Sequence, residues 1–177
     1  RWSGASVVGN KAILHYEVAG VAIQEYPASQ KVANQVIFNR HFKIAPTNKS
    51  LYLTVAEVNN ALKHEVVDNV AYLYHANGKV TAVASSNGGK VSVKEQRYLV
   101  VEVPAHTQEG NYTVQVWSGD AARKSVFTEA LSMSVFTFPN PVKELRKQWK
   151  EVVKTTTILA PDTAAYVSDL VMLPLPN

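Results

Sequence analysis

The five histidines are the side chains in this 177-residue sequence that could most readily perform acid–base or metal chemistry. They are His15, His41, His64, His75 and His106. None has a second metal-type ligand at the spacing of a known motif; the closest candidate pairs His64 with Asp68, four residues further on. We interpret that pair as two solvated surface side chains. The histidines therefore predict neither a metal site nor a catalytic base.

Other catalytic chemistry has equally little support in the sequence. There is no cysteine, which excludes disulfides, iron–sulfur clusters, cysteine zinc sites and thiol nucleophiles. The motifs G-x-S-x-G, H-E-x-x-H, G-x-G-x-x-G and the P-loop are absent. The 14 acidic residues lie mostly in predicted loops without a nearby aromatic residue. We predict that the protein is not an enzyme and binds no cofactor or metal. A carbohydrate-binding or hydrolytic β-sandwich is the alternative from another class.

Short runs rich in Val, Tyr, Phe and Thr, some of them with alternating apolar and polar residues, predict about eight β-strands before residue 138. The clearest signal is a hairpin in which Val70–Tyr74 and Val80–Ala84 flank Asn77-Gly78, because both turn residues tolerate positive φ. The last predicted strand is Val126–Phe138. The pattern is typical of a mainly β protein with an antiparallel sandwich.

Changes in composition divide the chain into three parts. Residues 1–35 are predicted to form N-terminal strands or an extension, residues 36–138 a β-sandwich core, and residues 139–177 a C-terminal helix and tail. Within the first two parts, Pro27–Val32 predicts a loop and Asn59–Asp68 a short helical turn.

The C-terminal part predicts an amphipathic helix followed by an extended apolar tail. Asn140 is the predicted N-cap and Pro141 the first helical residue. The tail must pack on its own domain or on a neighbouring subunit, because exposed it would form an unfavourable apolar patch. The predicted protein-interface residues are Leu145, Trp149 and Val152 on the helix and Val167, Leu170, Val171 and Leu173 in the tail. The N-terminal segment Ser6–Val18 could likewise add to another subunit's sheet edge.

The chain carries a formal charge of +4. Lysines and arginines cover one face of the predicted helix, and such a face is usually solvated, although it could contact nucleic acid or an acidic partner. No window approaches the roughly 20 apolar residues of a membrane helix, so we predict no membrane insertion.

The stretch VPAHTQEGNYTVQV, from Val103 to Val116, resembles the segment that joins strands E and F in bacterial Ig-like and fibronectin-like surface modules. In that family a tyrosine near the start of strand F bonds back to the backbone just upstream. The resemblance makes Tyr112 the corner tyrosine and Gly110 the residue that permits the tight backbone. It implies an Ig-like sandwich over roughly residues 42–138.

The order of elements from Lys79 onward also resembles the coat proteins of single-stranded RNA phages. In those coats a sheet leads through its last strand into C-terminal helices that pack on a dimer partner. The stretch KVTAVASSNGG, the strand RYLVVEVP and the C-terminal helix follow that order. The chain is longer than such coats, so its first 40 or so residues would be an extension. This resemblance implies a capsid and contact with nucleic acid.

These observations favour a non-enzymatic structural subunit. We predict that it works through contacts with identical or related subunits in an extracellular, cell-surface or virion assembly. Apolar terminal segments and the missing catalytic motifs are the basis of this prediction.

Overall fold

A computed structural model describes residues 1–133 and 136–139 of the chain. In these residues eleven strands precede one turn of 3-10 helix and a short α-helix, α1 (Lys124–Met133). The strands are β1 (Trp2–Val8), β2 (Lys11–Val18), β3 (Val21–Val32), β4 (Gln35–Ile44), β5 (Leu51–Glu57), β6 (Lys63–Val67), β7 (Val70–Tyr74), β8 (Lys79–Ser85), β9 (Lys90–Lys94), β10 (Tyr98–Val103) and β11 (Gly110–Asp120). The prediction of a mainly β, antiparallel fold is confirmed.

The strands form two antiparallel sheets. The large sheet has eight strands in the order β1-β2-β3-β4-β11-β8-β7-β6, and the small sheet has three in the order β5-β10-β9. The small sheet packs on the inner face of the large one. Their shared core is apolar and includes Phe42, Leu73 and Val114 from the large sheet and Leu99 and Val101 from the small one. This burial is the main driving force that holds the two sheets together.

Helix α1 covers part of the outer face of the large sheet. Phe127 is fully buried there, and its ring stacks on Trp117 with centroids 6.1 Å apart. Ala130 is buried beside it, and Leu131 packs against the same cluster. A second core, distinct from the one between the sheets, therefore lies under α1.

The predicted strand Val126–Phe138 is wrong, because α1 occupies its first eight residues. Asp120 caps the helical segment: its carboxylate accepts a hydrogen bond from the N–H of Ala122 at 3.1 Å. Phe127, Ala130 and Leu131 are spaced by three and four residues, so they share one helix face. Burial of that face against Trp117 outweighs the two-residue alternation that begins at Leu131.

Two further predictions are corrected. Pro27–Val32 was predicted as a loop, but it belongs to β3. Strand β2 pairs with β3 only as far as Glu25, so the second half of β3 has one partner, β4, and proline is tolerated at such an edge. The helical turn predicted in Asn59–Asp68 is instead strand β6, which pairs with β7 at the end of the large sheet. Its polar composition reflects this exposed position.

The predicted C-terminal helix and tail, with all seven predicted interface residues, lie outside the described residues. In the described part, no helix has both the length and the hydropathy needed to cross a bilayer.

Candidate interaction surface

Four of the five histidines are held in separate local contacts. His15 is hydrogen-bonded to Ser6, His41 to Thr113, His75 to Thr81 and His106 to the carbonyl oxygen of Pro104, at 2.8 or 2.9 Å in each case. His64 is exposed on β6. Among residues 1–133 and 136–139, no group of three or more histidines and acids is arranged to hold a metal ion. His15 and His41 each bond a residue of an adjacent strand, whereas His75 and His106 bond residues close by in sequence.

The most buried carboxylate belongs to Glu25, on the inner face of β3. It accepts hydrogen bonds from Arg40 Nε at 2.6 Å, Arg40 Nη2 at 3.0 Å and the Tyr16 hydroxyl at 2.7 Å. Burial and the hydrogen bond to Glu25 raise the pKa of Tyr16, so its hydroxyl remains a donor. All three donors point at one carboxylate and join β2, β3 and β4. This is the geometry of a structural ion pair.

An aromatic stack covers the outer face of β3 and β4. Tyr26 and His41 are cross-strand partners whose ring centroids are 5.8 Å apart. Phe136, after α1, lies parallel to the His41 ring at 3.4 Å and to the Tyr26 ring at 5.3 Å. Burial lowers the pKa of His41 to about 4. The imidazole is therefore neutral at pH 7 and serves as a flat packing surface.

A polar cleft of about 360 Å³ opens beside this stack. Its walls carry hydrogen-bonding side chains, and its lining includes Lys11, Ser29, Gln30, Asn39 and Met133 together with the stacked rings. The buried amides of Asn39 and Gln115 are joined by a 3.2 Å hydrogen bond from Gln115 Nε2 to Asn39 Oδ1. No described residue that lines the cleft is acidic, and its amide and hydroxyl groups are able to hydrogen-bond a small polar molecule.

The two sheets end in four edge strands, which differ in charge. Strand β6 carries Lys63 and Glu65, strand β9 carries Lys90 and Lys94, and strand β5 ends in Glu57. Strand β1, with the sequence WSGASVV, has no charged residue. Charged side chains on an edge strand discourage pairing with other molecules. Among these four edges, β1 is the one that lacks this protection.

Strand β1 also exposes apolar side chains. Trp2 is 61% exposed and Val7 63%. Val7 and Ala5 lie on the inner face of the large sheet, beside Ala12 and Leu14 of β2. The small sheet packs further along the large sheet, so this apolar strip at the β1 edge faces solvent. We call the β1 edge and this strip the β1 surface.

Sequence reasoning indicated part of this surface, since the segment Ser6–Val18 was predicted to be able to pair with another sheet. It missed the residues of β1 that precede Ser6. The charge-free run from Trp2 to Val8 was the signal that could have identified the edge. The three tryptophans form no described cluster, because Trp2 is exposed on β1, Trp117 is buried under α1, and Trp149 lies outside the described residues.

A comparison of the chain with protein-family models gave no match, and a comparison with curated proteins gave none either.

Proposed function

We propose that this chain is a non-enzymatic structural subunit that assembles with identical or related subunits through sheet edges and terminal segments. The proposed setting is extracellular, on a cell surface or in a virion. The single observation that carries the proposal is the β1 surface, an uncharged edge strand beside an exposed apolar strip. Unpaired backbone N–H and C=O groups on such an edge are a template for another strand.

The arrangement of the strands in the two sheets is also part of the proposal. We propose an Ig-like arrangement in which β10 and β11 take the places of strands E and F. In support, the chain passes from the small sheet to the large sheet between these strands, and Thr47 and His106 form an isolated bridge at that corner. The Tyr112 ring packs against Gly110 there. No hydrogen bond from the Tyr112 hydroxyl to the backbone occurs among the described residues, so the corner departs from the family pattern.

The terminal segment is proposed to supply further contacts. Its interface residues are proposed to be Leu145, Trp149, Val152, Val167, Leu170, Val171 and Leu173. This part of the proposal rests on their apolar character and spacing alone.

Light scattering on the intact chain tests the proposal. We expect a mass well above that of one chain and a reduced mass after deletion of residues 162–177. A monomer at every accessible concentration would contradict assembly. Absorbance at 260 and 280 nm, read on the same sample, tests the coat-protein alternative. A large particle rich in 260 nm absorbance would favour a nucleic-acid-filled shell.

A second candidate function is carbohydrate binding. The polar cleft beside Tyr26 and His41 favours it, because aromatic rings next to amide and hydroxyl groups suit a neutral polar ligand. Calorimetric titration with a panel of soluble oligosaccharides, using the intact chain and Asn39→Ala, tests this candidate. Heats that vanish in the variant would support it, and no heat in either protein would contradict it.

A further inference from the structure

We infer that β1 pairs antiparallel with β1 of a second copy of this chain, joining two large sheets into one continuous sheet across a two-fold axis. The inference rests on the proposed function and names its partner and contact strand. Strand β1 differs from the other three edge strands in its charge, and its register and exposed faces suit pairing with a second copy.

Charge selects β1. A symmetric pairing brings each residue of an edge near residues of the same strand in the partner. On β9 this would place Lys90 and Lys94 of one copy near those of the other, at a cost in stability. Strands β5 and β6 carry charged residues as well, and charged side chains on an edge discourage pairing with another molecule. The seven residues of β1 carry no charge, so the same symmetry brings no like charges together within the strand. No proline interrupts β1 either, so every residue retains its N–H.

The regular part of β1 determines which residue lies at the centre of the pairing. β1 is regular from Gly4 to Val8, and its one irregularity lies between Trp2 and Gly4, where Gly4 has φ of +130°. Antiparallel strands related by a two-fold axis place the same face of both copies on the same side. A centre at Ser6 uses the whole regular segment. It places Ser6 opposite Ser6, and Ala5 opposite Val7 of the second copy.

The exposed faces then complement each other. In this register Ala5 and Val7 of each copy meet across the new strand pair, on the side that carries Ala12 and Leu14. Two apolar strips become one, and their central part is removed from water. The outer face of β1 presents Gly4, Ser6 and Val8, which are small enough not to obstruct a neighbouring strand. Pairing thus gives hydrogen-bond partners to the backbone N–H and C=O groups of the β1 edge and also buries apolar side chains.

Single-cysteine variants test the register directly, because the chain has no cysteine of its own. Opposing residues in an antiparallel pair have Cβ atoms roughly 4.5–5.5 Å apart, close enough for a disulfide, whereas diagonal neighbours are about 7–8 Å apart. We expect Ser6→Cys to form a disulfide-linked dimer on mild oxidation. We also expect a mixture of Ala5→Cys and Val7→Cys to form a mixed dimer in preference to either homodimer. Val66→Cys, on edge strand β6 and 48% exposed, is the matched control and should stay monomeric under the same conditions.

Charge insertion gives a second, independent measurement. Val7→Lys places a cation on each copy beside the two-fold axis and should weaken dimerisation roughly tenfold or more. Val67→Lys on β6 is the matched control, since Val67 is also exposed on an edge strand, and it should leave the affinity unchanged. Circular dichroism and thermal melts verify that both variants fold.

The outcomes separate the inference from the proposed function. If the chain assembles but the crosslink appears at Val66, or the apolar pair Val36 and Phe38 on β4 proves necessary, assembly stands and the inference is overturned. The same holds if deletion of residues 162–177 abolishes association while Val7→Lys has no effect. If the wild-type chain is monomeric, both fail. A dimer that crosslinks at Ser6 and weakens with Val7→Lys supports both.

Discussion

The side-chain oxygen of Asn69 accepts a hydrogen bond from the backbone N–H of Val91 at 2.9 Å, across 22 residues of sequence. Asn69 belongs to the turn between β6 and β7 of the large sheet, and Val91 to β9 of the small sheet. The Asn69 amide nitrogen donates to the carbonyl oxygens of Ser85 and Gly89 at 2.9 and 2.8 Å. The Asn69 side chain therefore stabilises the turn between β8 and β9, through which the chain passes from the large sheet to the small one.

Asn69→Ala should destabilise the protein by about 2–4 kcal/mol, because it removes three hydrogen bonds and puts alanine at φ of 60°. Chemical denaturation measures this change. Asn60→Ala is the control, since Asn60 has the same φ and no side-chain hydrogen bond among the described residues. It should cost only about 1 kcal/mol, the backbone part of the effect. Equal losses in both variants would show that the Asn69 hydrogen bonds contribute little.

The ion pair between Glu25 and Arg40 should contribute to the unfolding free energy because the Glu25 carboxylate is buried. Arg40→Met leaves the Glu25 carboxylate with one of its three donor hydrogen bonds and should cost about 3 kcal/mol in unfolding free energy. Glu25→Gln combined with Arg40→Met leaves no buried charge and still offers an acceptor to Tyr16. We expect the double variant to be more stable than Arg40→Met alone. Chemical denaturation measures the unfolding free energy of both variants. A double variant less stable than Arg40→Met would contradict a cost that comes from the unpaired buried carboxylate.

His41 should make stability depend on pH. Its pKa is lowered to about 4 by burial, below the ordinary value near 6.5, so the unfolded chain binds a proton more readily than the folded one. Its contribution to stability is complete above about pH 6.5 and is lost as the pH falls towards 4. Between pH 7 and pH 5 the loss should be about 2 kcal/mol.

This dependence is measured by denaturation of the wild type and His41→Gln at both pH values. The variant should lose less stability on acidification than the wild type. His64→Gln is the matched control, because His64 is exposed on β6, and it should follow the wild type. An unchanged pH dependence in His41→Gln would rule out His41 as its source.

Phe127 should be the main attachment of α1 to the sheet. The residue is fully buried and stacks on Trp117, so Phe127→Ala should cost about 3–5 kcal/mol by leaving a cavity. Phe38→Ala is the control, because Phe38 is 60% exposed and its truncation leaves no cavity. Thermal and chemical denaturation compare the two. Similar losses in both variants would contradict the packing of α1 as described.

Local chemistry predicted some elements well. The hairpin of β7 and β8 followed from Asn77-Gly78, and Gly78 does adopt a positive φ of 74°. The strands on both sides of the Pro104–Glu109 link, β10 and β11, were likewise predicted. In each case turn residues flank a short run rich in β-branched and aromatic residues, so a short window of sequence contains enough information.

The failed predictions depend on partners distant in sequence. Helix α1 forms because Phe127 and Ala130 pack on Trp117, which a local alternation of apolar residues and serines cannot reveal. Pro27 is compatible with β3 because β2 ends its pairing at Glu25. The polar cleft requires Tyr26, Asn39 and Phe136 to come together from three elements. For the same reason, the β1 surface follows from sequence only once β1 is known to be an edge.

The junction between β4 and β11 bears on how the chain folds. Strands β1 to β4 form a meander of neighbours in sequence, and so do β6 to β8. The two halves of the large sheet meet where Ile44 pairs with Gly110 and Phe38 with Val116, across the whole intervening chain. Closing so long a loop is slow compared with forming a hairpin. The meanders should therefore form first, and the closure of this seam should set the folding rate.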